Sequence, residues 1–462
     1  MPRRLKKNNT LYSLHKKQIP IHNNRLQKVL FDGTSRLTDH FPRAGARFLD
    51  LTVRPLVTSS LLFTFFTHHN QRVVRSLKAF RRFLVISDIH IGDAVMAQAS
   101  ITAVRDLFPD AHVDYVINKA ASSLIEGNPE VTRVLPFFTG GFFPSAANLA
   151  ELSDLVKGEP YDLCLNFSPF IKDKDIVADG HGILNIMTYA PVIMGNEKDT
   201  ARINHFIYHD YRFTRDLLSI VAQPVRKEAF RGVRLTLTDS AIEQARRFAS
   251  DAGLSSGMPT VFYNPDAASR YTRMPFEKQA DLLVRLARLE ALILLGAGHT
   301  EAGIGERLKA SLPVLFRSKL KIIPSDMPLE VFSALIDFSD VFISGDTGPL
   351  HLAAARRYSR SGRFVFHNRT AVLSLFGATP ARMSGYDSFQ PGYLPANQDA
   401  PSWSYTAGSP CRNITCLNKM YKTCRTVRCF EEVDVQSLAQ RVRSYLEGLA
   451  HPPAVRKEQG TV

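Results

Sequence analysis

The sequence predicts an α/β protein of two similar halves, each a parallel sheet flanked by helices, behind a basic extension. Three observations predict it. From Phe83 onward, short apolar runs alternate with stretches of helical periodicity, the pattern that links parallel strands through crossover helices. The alternation lapses in the glycine- and serine-rich stretch Gly253 to Pro259 and then restarts, as at a linker. The charge is segregated: residues 1–82 hold 17 Lys or Arg against Asp32, Asp39 and Asp50, a net of +14 out of a formal +15 for 462 residues. The remaining 380 residues carry 41 basic and 40 acidic side chains and are nearly neutral.

The elements follow in order. FLVIS, residues 83–87, is a buried strand. Residues 93–108 place Met96, Ser100, Val104 and Leu107 or Phe108 on one side of a helix. HVDYVIN at 112–118 is a second strand, and a short helix over 120–126 ends at Gly127. VTRVLPF and YDLCLNFS (161–168) are further strands, with Cys164 as a small core residue. A helix over 239–252 closes the first half. In the second half, TVFYNPDA runs from strand into loop, 276–289 is an amphipathic helix, and ALILLGAG (291–298) is a strand ending in glycines. A helix over 329–338, the strand DVFISGD (340–346), a helix over 349–356 and the strand AVLSLFG (371–377) continue the pattern. The last helix covers 433–449. The expected divisions are an extension at 1–82, halves at 83–252 and 253–432, and a closing helix and tail at 433–462. Two such halves leave a cleft at the carboxyl ends of their strands, where open α/β folds bind ligands.

Composition narrows the class. With 45% hydrophobic and 22% charged residues, the chain is neither disordered, collagen-like nor a coiled coil. Five cysteines in this length do not make a disulfide scaffold. In the extension, the opening basic run is disordered or loosely helical on its own. The apolar stretch from Pro55 to Phe66 has about a dozen residues where a spanning helix needs roughly 20, and it lies too far along for a signal peptide. After it, Val73, Val74, Leu77 and Phe80 recur at helical spacing among Arg72, Arg75, Lys78, Arg81 and Arg82. Such a segment suits an anionic membrane surface, at about 1 kcal/mol per basic side chain. It equally suits a helix packed on the next domain or on another subunit. The neutral body argues against nucleic acid as a partner.

Two loops follow expected strands and open helices. The first, SDIHIGDAV, carries Gly92 and Asp93; the second, ISGDTGPLHLAAA, carries Asp346, Thr347, Gly348 and His351. Glycine allows tight turns and close approach to a ligand, and a helix start presents unpaired N–H groups. The second loop can cradle a diphosphate, with hydrogen bonds from Thr347 and His351. Asp346, awkward beside phosphate, suits the loop amides or a sugar hydroxyl. On spacing alone, Asp93 and Asp346 or Thr347 are equally read as plain helix caps.

These residues together resemble glycosyltransferase family 9, the heptosyltransferases of lipopolysaccharide assembly. IGDAVMAQASITAVRDLFPDAHVDYVINKAASSLIEGNPEVTRVLPF is similar to that family's opening strand, G-D loop, helix and second strand. ISGDTGPLHLAAA resembles its D-[ST]-G-x-x-H donor motif, VLSLFGATPA the strand and turn that follow, LLGAGHTEAG with Gly296 its glycine-rich strand end, and NPDAASRYTRMP its stretch ending in K-R-W-P. The resemblance runs from about residue 83 to 449. It implies a GT-B fold of two Rossmann-like domains with an interdomain cleft, the donor on the C-terminal one. It also implies metal-independent, inverting transfer from a nucleotide sugar, typically ADP-heptose, to a lipopolysaccharide-type acceptor at the cytoplasmic face of the membrane. The matching general base is Asp93; Thr347, Gly348 and His351 match the residues at the leaving diphosphate. A related transferase with another donor or a protein acceptor, or an inactive GT-B module binding a membrane surface, is the alternative.

The chain departs from the pattern in three places. Thr272 stands at the lysine of K-R-W-P, leaving Arg273 or Arg270 to supply positive charge. YSRSGRFVFHNRT, before residue 371, is longer than the family's usual turn. Cys411, Cys416, Cys424 and Cys429 are spaced C-x4-C-x7-C-x4-C. Four thiolates suit a structural zinc or iron, while unligated thiols or disulfides are the other readings. Trp403, the lone tryptophan, falls in a loop rich in Pro, Ser and Gly.

Overall fold

The computed structural model describes residues 80–87, 90–137, 145–157, 161–168, 186–188, 211, 214, 215, 218, 232–254, 257–296, 298, 300–377, 381–390, 399–406, 428–431 and 433–450. The expected membrane or packing helix of the extension, and Cys411, Cys416 and Cys424, lie outside them. Two compact units divide between Leu237 and Thr238.

The first unit holds a parallel sheet in the order β3-β2-β1-β4-β5, from β1 (Arg82–Ser87), β2 (His112–Asn118), β3 (Arg133–Phe137), β4 (Leu163–Asn166) and β5 (Ile186–Thr188). β1 is central because nearly all of it is apolar: Val85 lies opposite Tyr115 on one side and Leu165 on the other. The helix expected over 93–108 starts earlier and is broken. α1 (Ile91–Met96) ends where the Ala97 N–H turns to the Asp93 and Val95 carbonyls, and α2 (Gln98–Leu107) begins afresh. The helix expected over 120–126 is a 3₁₀ turn, Lys119–Leu124, with the Asn118 side chain accepting from the Ala120 N–H. α3 (Ala146–Val156), not foreseen, starts at a reciprocal cap between Ser145 and Asn148. β6 (Arg234–Leu237) ends the unit, and its Thr236 hydroxyl donates to the Glu126 carbonyl at 2.8 Å. Leu84, Ile86, Val116, Phe137 and Cys164 form part of the core, Cys164 in the role expected.

The second unit begins one helix before the expected boundary at 252/253. α4 (Asp239–Asp251) is capped by the Thr238 hydroxyl and packs on the helix Leu329–Leu335. Burial of Ala241, Ile242, Ala245 and Ala249 along one face carries the helix into this unit. Then follow β7 (Thr260–Asn264), α5 (Phe276–Ala287), β8 (Leu292–Gly296), α6 (Ile304–Ser311), β9 (Leu320–Ile323), α7 (Leu329–Leu335), β10 (Val341–Gly345), α8 (Gly348–Ala354), β11 (Arg356–Ser359), β12 (Ala371–Phe376), β13 (Ser402–Thr406) and α9 (Val435–Ala450). The parallel sheet runs β13-β12-β10-β7-β8-β9. α8 stops two residues short of expectation because Arg356 already begins β11. α9 packs on α5, so the expected separate closing segment belongs to this core. Trp403 is in edge strand β13, not in a loop: it pairs opposite Leu373 and packs edge-on to Tyr445 at 5.4 Å.

Each sheet reverses its strand order once, between β1 and β4 in the first unit and between β7 and β10 in the second. The carboxyl ends flanking such a reversal are where the loops part and a ligand fits.

Candidate active site

At the reversal in the second unit, β7 ends in Asn264 and β10 in Ser344 and Gly345. The Asn264 Nδ2 donates to Ser344 Oγ at 3.0 Å and to the Asp266 carbonyl at 3.1 Å. Ser344 Oγ lies 3.0 Å from Thr347 Oγ1, which also receives the Asn264 amide at 3.5 Å. Thr347 occupies the N-cap position of α8, yet its side chain makes no capping bond. Its hydroxyl is turned into this polar cluster, so a plain cap does not describe it. Asn264 and Ser344 are buried while Thr347 and Gly348 are half-buried, so the cluster opens outward at the D-T-G loop.

His351, one turn into α8, is buried, with Nδ1 2.9 Å from the Tyr386 hydroxyl. Burial pulls its imidazole down to about 4, against the opposing Asp346 charge, so the ring is neutral at pH 7. Burial likewise holds the Tyr386 phenol well above its ordinary range, with Asp346 adding to it. A phenol that donates to Nδ1 leaves the ring proton on Nε2, a neutral hydrogen-bond donor. Asp346 accepts from Ser384 Oγ at 3.2 Å, which ties the D-T-G loop to the single turn Ala381–Ser384.

The glycines and arginines play other parts than spacing suggested. A side chain at Gly345 would come within 2.6 Å of the Thr272 carbonyl, so β10 abuts the 269–275 segment backbone to backbone. Gly296 leaves room for Asn264, whose Oδ1 is 3.3 Å from where a Cβ would sit. Thr272, at the lysine position, is buried and donates to the Ser269 carbonyl at 3.0 Å. Arg273 is engaged in two ion pairs, with Asp266 at 3.1 Å and Glu301 at 2.8 Å. The Asp266 carboxylate also accepts the Thr300 N–H at 2.6 Å and the Glu301 N–H at 3.3 Å. Arg273 is therefore spent on holding the loop after β8. Arg270 lies over the Tyr271 ring at 4.9 Å and donates to its hydroxyl at 3.1 Å.

In the first unit, Gly92 is buried and Asp93 half-buried in the first turn of α1. His90 is the N-cap residue, so Asp93 is not a cap either. Cys429 is buried in the second core, in the 3₁₀ turn Arg428–Phe430. Among the described residues, no three His, Cys, Asp or Glu side chains converge on a metal site, and no helix is long and apolar enough to cross a membrane.

Sequence reasoning missed Asn264, Ser344, Gly345 and Tyr386. The only local signal was that Asn264, Ser344 and Gly345 sit at strand ends followed by Pro265 or by Asp346.

Residues 232–421 match the model of glycosyltransferase family 9 (heptosyltransferase), a span holding every site residue from Asn264 to Tyr386. That stretch is similar to glycosyltransferase family 9. The chain is 23% identical over 287 residues to a Haemophilus influenzae protein named as a glycosyltransferase, covering 59% of the chain and 79% of that relative. Its fold resembles a family 9 glycosyltransferase from Veillonella parvula, with a TM-score of 0.57 at 14% identity, over 79% of this chain and 97% of that one. It also resembles the Escherichia coli ADP-heptose lipopolysaccharide heptosyltransferase II, with a TM-score of 0.54 at 14% identity, over 80% and 99%. These likenesses show the GT-B fold, and the two sheets above are its Rossmann-like halves.

Proposed function

We propose that this glycosyltransferase moves heptose from ADP-heptose onto a hydroxyl of a lipopolysaccharide core or related lipid-linked acceptor, with inversion and without a catalytic metal. The observation that carries the reading is the polar cluster of Asn264, Ser344 and Thr347 beside the neutral His351, at the strand reversal of the second unit. ADP-heptose is favoured because the Escherichia coli protein sharing this fold is named for it.

In this reaction the acceptor oxygen attacks the anomeric carbon. The bond from that carbon to the diphosphate oxygen breaks, and its electron pair leaves with ADP. The acceptor proton passes to the Asp93 carboxylate, the general base. Thr347 Oγ1, the Gly348 N–H and the His351 Nε2–H stabilise the charge growing on the diphosphate. All three donors are neutral, and with Arg273 held by Asp266 and Glu301, its part is to fix the loop at the donor end. Arg270 is the remaining cation of this stretch within reach of solvent. Asp346 orients the loop through Ser384. The extension holds the enzyme on the anionic cytoplasmic face of the membrane, and the late cysteines bind a structural zinc or iron.

The test is a panel of nucleotide sugars with nucleoside diphosphate release followed with and without acceptor. ADP release from ADP-heptose, increased by lipopolysaccharide core, is expected. Faster turnover of another nucleotide sugar, or of none, would overturn the donor assignment or the activity. Neutralising Arg72, Arg75 and Lys78 to Gln should weaken salt-sensitive binding to anionic vesicles; unchanged binding removes the membrane role. Metal analysis of the purified protein should return about one zinc or iron per chain, lost on Cys416→Ser.

A further inference from the structure

The largest fully buried side chain in the described residues is a charged one, Arg357, the second residue of β11. Its Nε donates to the Ser333 carbonyl at 2.8 Å, near the end of α7. Its Nη2 donates to the Ala353 carbonyl at 3.1 Å and the Leu352 carbonyl at 3.3 Å, in the last turn of α8. The guanidinium thus joins the carboxyl ends of two helices, where unpaired carbonyls and the helix dipole favour a cation. Burial draws it down to about 10, so it stays charged at neutral pH.

The backbone of Arg357 is held as firmly as its side chain. Its N–H donates to Asn368 Oδ1 at 2.7 Å, and the Asn368 amide returns a bond to the Arg357 carbonyl at 3.0 Å. Asn368 is the one non-glycine described residue with a left-handed backbone, φ 52°. Asp337 holds it there, accepting the N–H groups of His367 and Asn368 at 2.8 Å each. The stretch that is longer than the family's usual turn therefore closes as a clasp between Arg357 and Asn368.

Stability alone does not account for this arrangement. The guanidinium has no carboxylate within ion-pair distance among the described residues, and its buried Nη1 makes no hydrogen bond. Well-packed apolar groups commonly match or exceed buried ions in stability. What an apolar side chain cannot do is fix α8 along its axis. α8 has seven residues, too few to hold its own geometry, and it carries Gly348 and His351 with Thr347 at its start.

We propose that Arg357 is a positioning residue for the donor: it anchors the far end of α8 so that Thr347, Gly348 and His351 meet the diphosphate in register. The inference rests on the reading of those three residues as the diphosphate site. Small displacements of binding groups cost large factors in function.

The experiment is calorimetric titration of ADP into the folded full-length chain, with melting temperature recorded in parallel. Arg357→Met should weaken ADP about tenfold. Arg357→Lys, which keeps the charge and reach, should recover most of the loss, and Asn368→Ala should lose a few-fold by loosening the clasp. Thr347→Val serves as the reference for the site itself. If Thr347→Val weakens ADP while Arg357→Met stays within twofold of wild type, whatever its melting temperature, the positioning role is overturned and the site stands. If neither substitution changes ADP binding, the diphosphate site is overturned and the inference with it. Should Arg357→Met not fold, Arg357→Lys and Asn368→Ala decide by the same comparison: both within twofold of wild type refutes the role.

Discussion

At the amino ends of the first sheet, Asp114 of β2 is fully buried, and its carboxylate accepts from Arg133 at 2.5 and 3.1 Å, from Tyr161 at 2.5 Å and lies 2.7 Å from His112. At the carboxyl ends of the second sheet, Asn264, Ser344 and Thr347 share neutral hydrogen bonds and open at a half-buried loop. The first cluster is closed. Burial raises the Asp114 carboxyl, but the Arg133 and Tyr161 hydrogen bonds and the His112 and Arg133 charges outweigh it and hold the group below its usual value. The second cluster contains no charge–charge pair. In parallel α/β folds the two ends of a sheet divide the work between holding the fold and meeting a ligand. The chemistry of each cluster here agrees with its end.

The sharpest break in the comparison comes from Asp93, at a carboxyl end of the first sheet. Asp93→Ala should lower transfer by about 10²- to 10⁴-fold with ADP affinity unchanged, read by single-turnover kinetics beside calorimetry. Near-normal turnover would remove it as the base. Asp114→Ala should do the reverse. It should cost about 2–4 kcal/mol of stability by leaving Tyr161 and Arg133 without their acceptor, measured by urea unfolding, while the folded variant binds ADP normally. A change in ADP binding would mean that the amino-end cluster is not purely structural.

Acid separates the clusters further. The folded His351 imidazole, near 4, lies below the ordinary 6.5, so its neutral form favours the fold above pH 6.5. That stability is lost as pH falls from 6.5 to 4, to a total of about 3 kcal/mol. The Asp114 contribution is present above the ordinary carboxylate value and vanishes only as pH falls through its lower folded value. The difference in urea stability between wild type and His351→Gln should therefore change between pH 6.5 and 4; a constant difference would refute the buried neutral imidazole. The smallest effect is expected from Thr347→Val, about 1 kcal/mol of ADP affinity, or roughly fivefold, with little change in melting temperature. An unaltered Kd would take Thr347 out of the site.

Strands such as β1 and β10 were legible because they are nearly uninterrupted apolar runs followed by glycine loops, and the D-T-G-x-x-H stretch pointed to α8 directly. β9 and β13 were not: LKII and SWSYT are short and carry polar residues, and their strand state comes from pairing with β8 and β12. The boundary at Leu237/Thr238 was missed because a linker-like composition follows α4, whereas the apolar face of α4 decides its partner. In the site, Asp346 to His351 are contiguous and could be read. Asn264, Ser344 and Tyr386 converge from three separate segments. Arg273 looked available because its partners Asp266 and Glu301 lie 7 and 28 positions away, visible only once the loop after β8 folds back.

The close approach of Gly345 to the Thr272 carbonyl gives the strand reversal of the second unit one wall that cannot recede. Any larger residue at 345 would push β10 away from the stretch that opens α5. Elsewhere the D-T-G loop and α8 are held through side chains, Ser384 on Asp346 and Tyr386 on His351. Ser384 and Tyr386 are themselves buried, and Tyr386 is hydrogen-bonded to Ser374 of β12 and Ser404 of β13, so a substitution there is felt by the sheet as well.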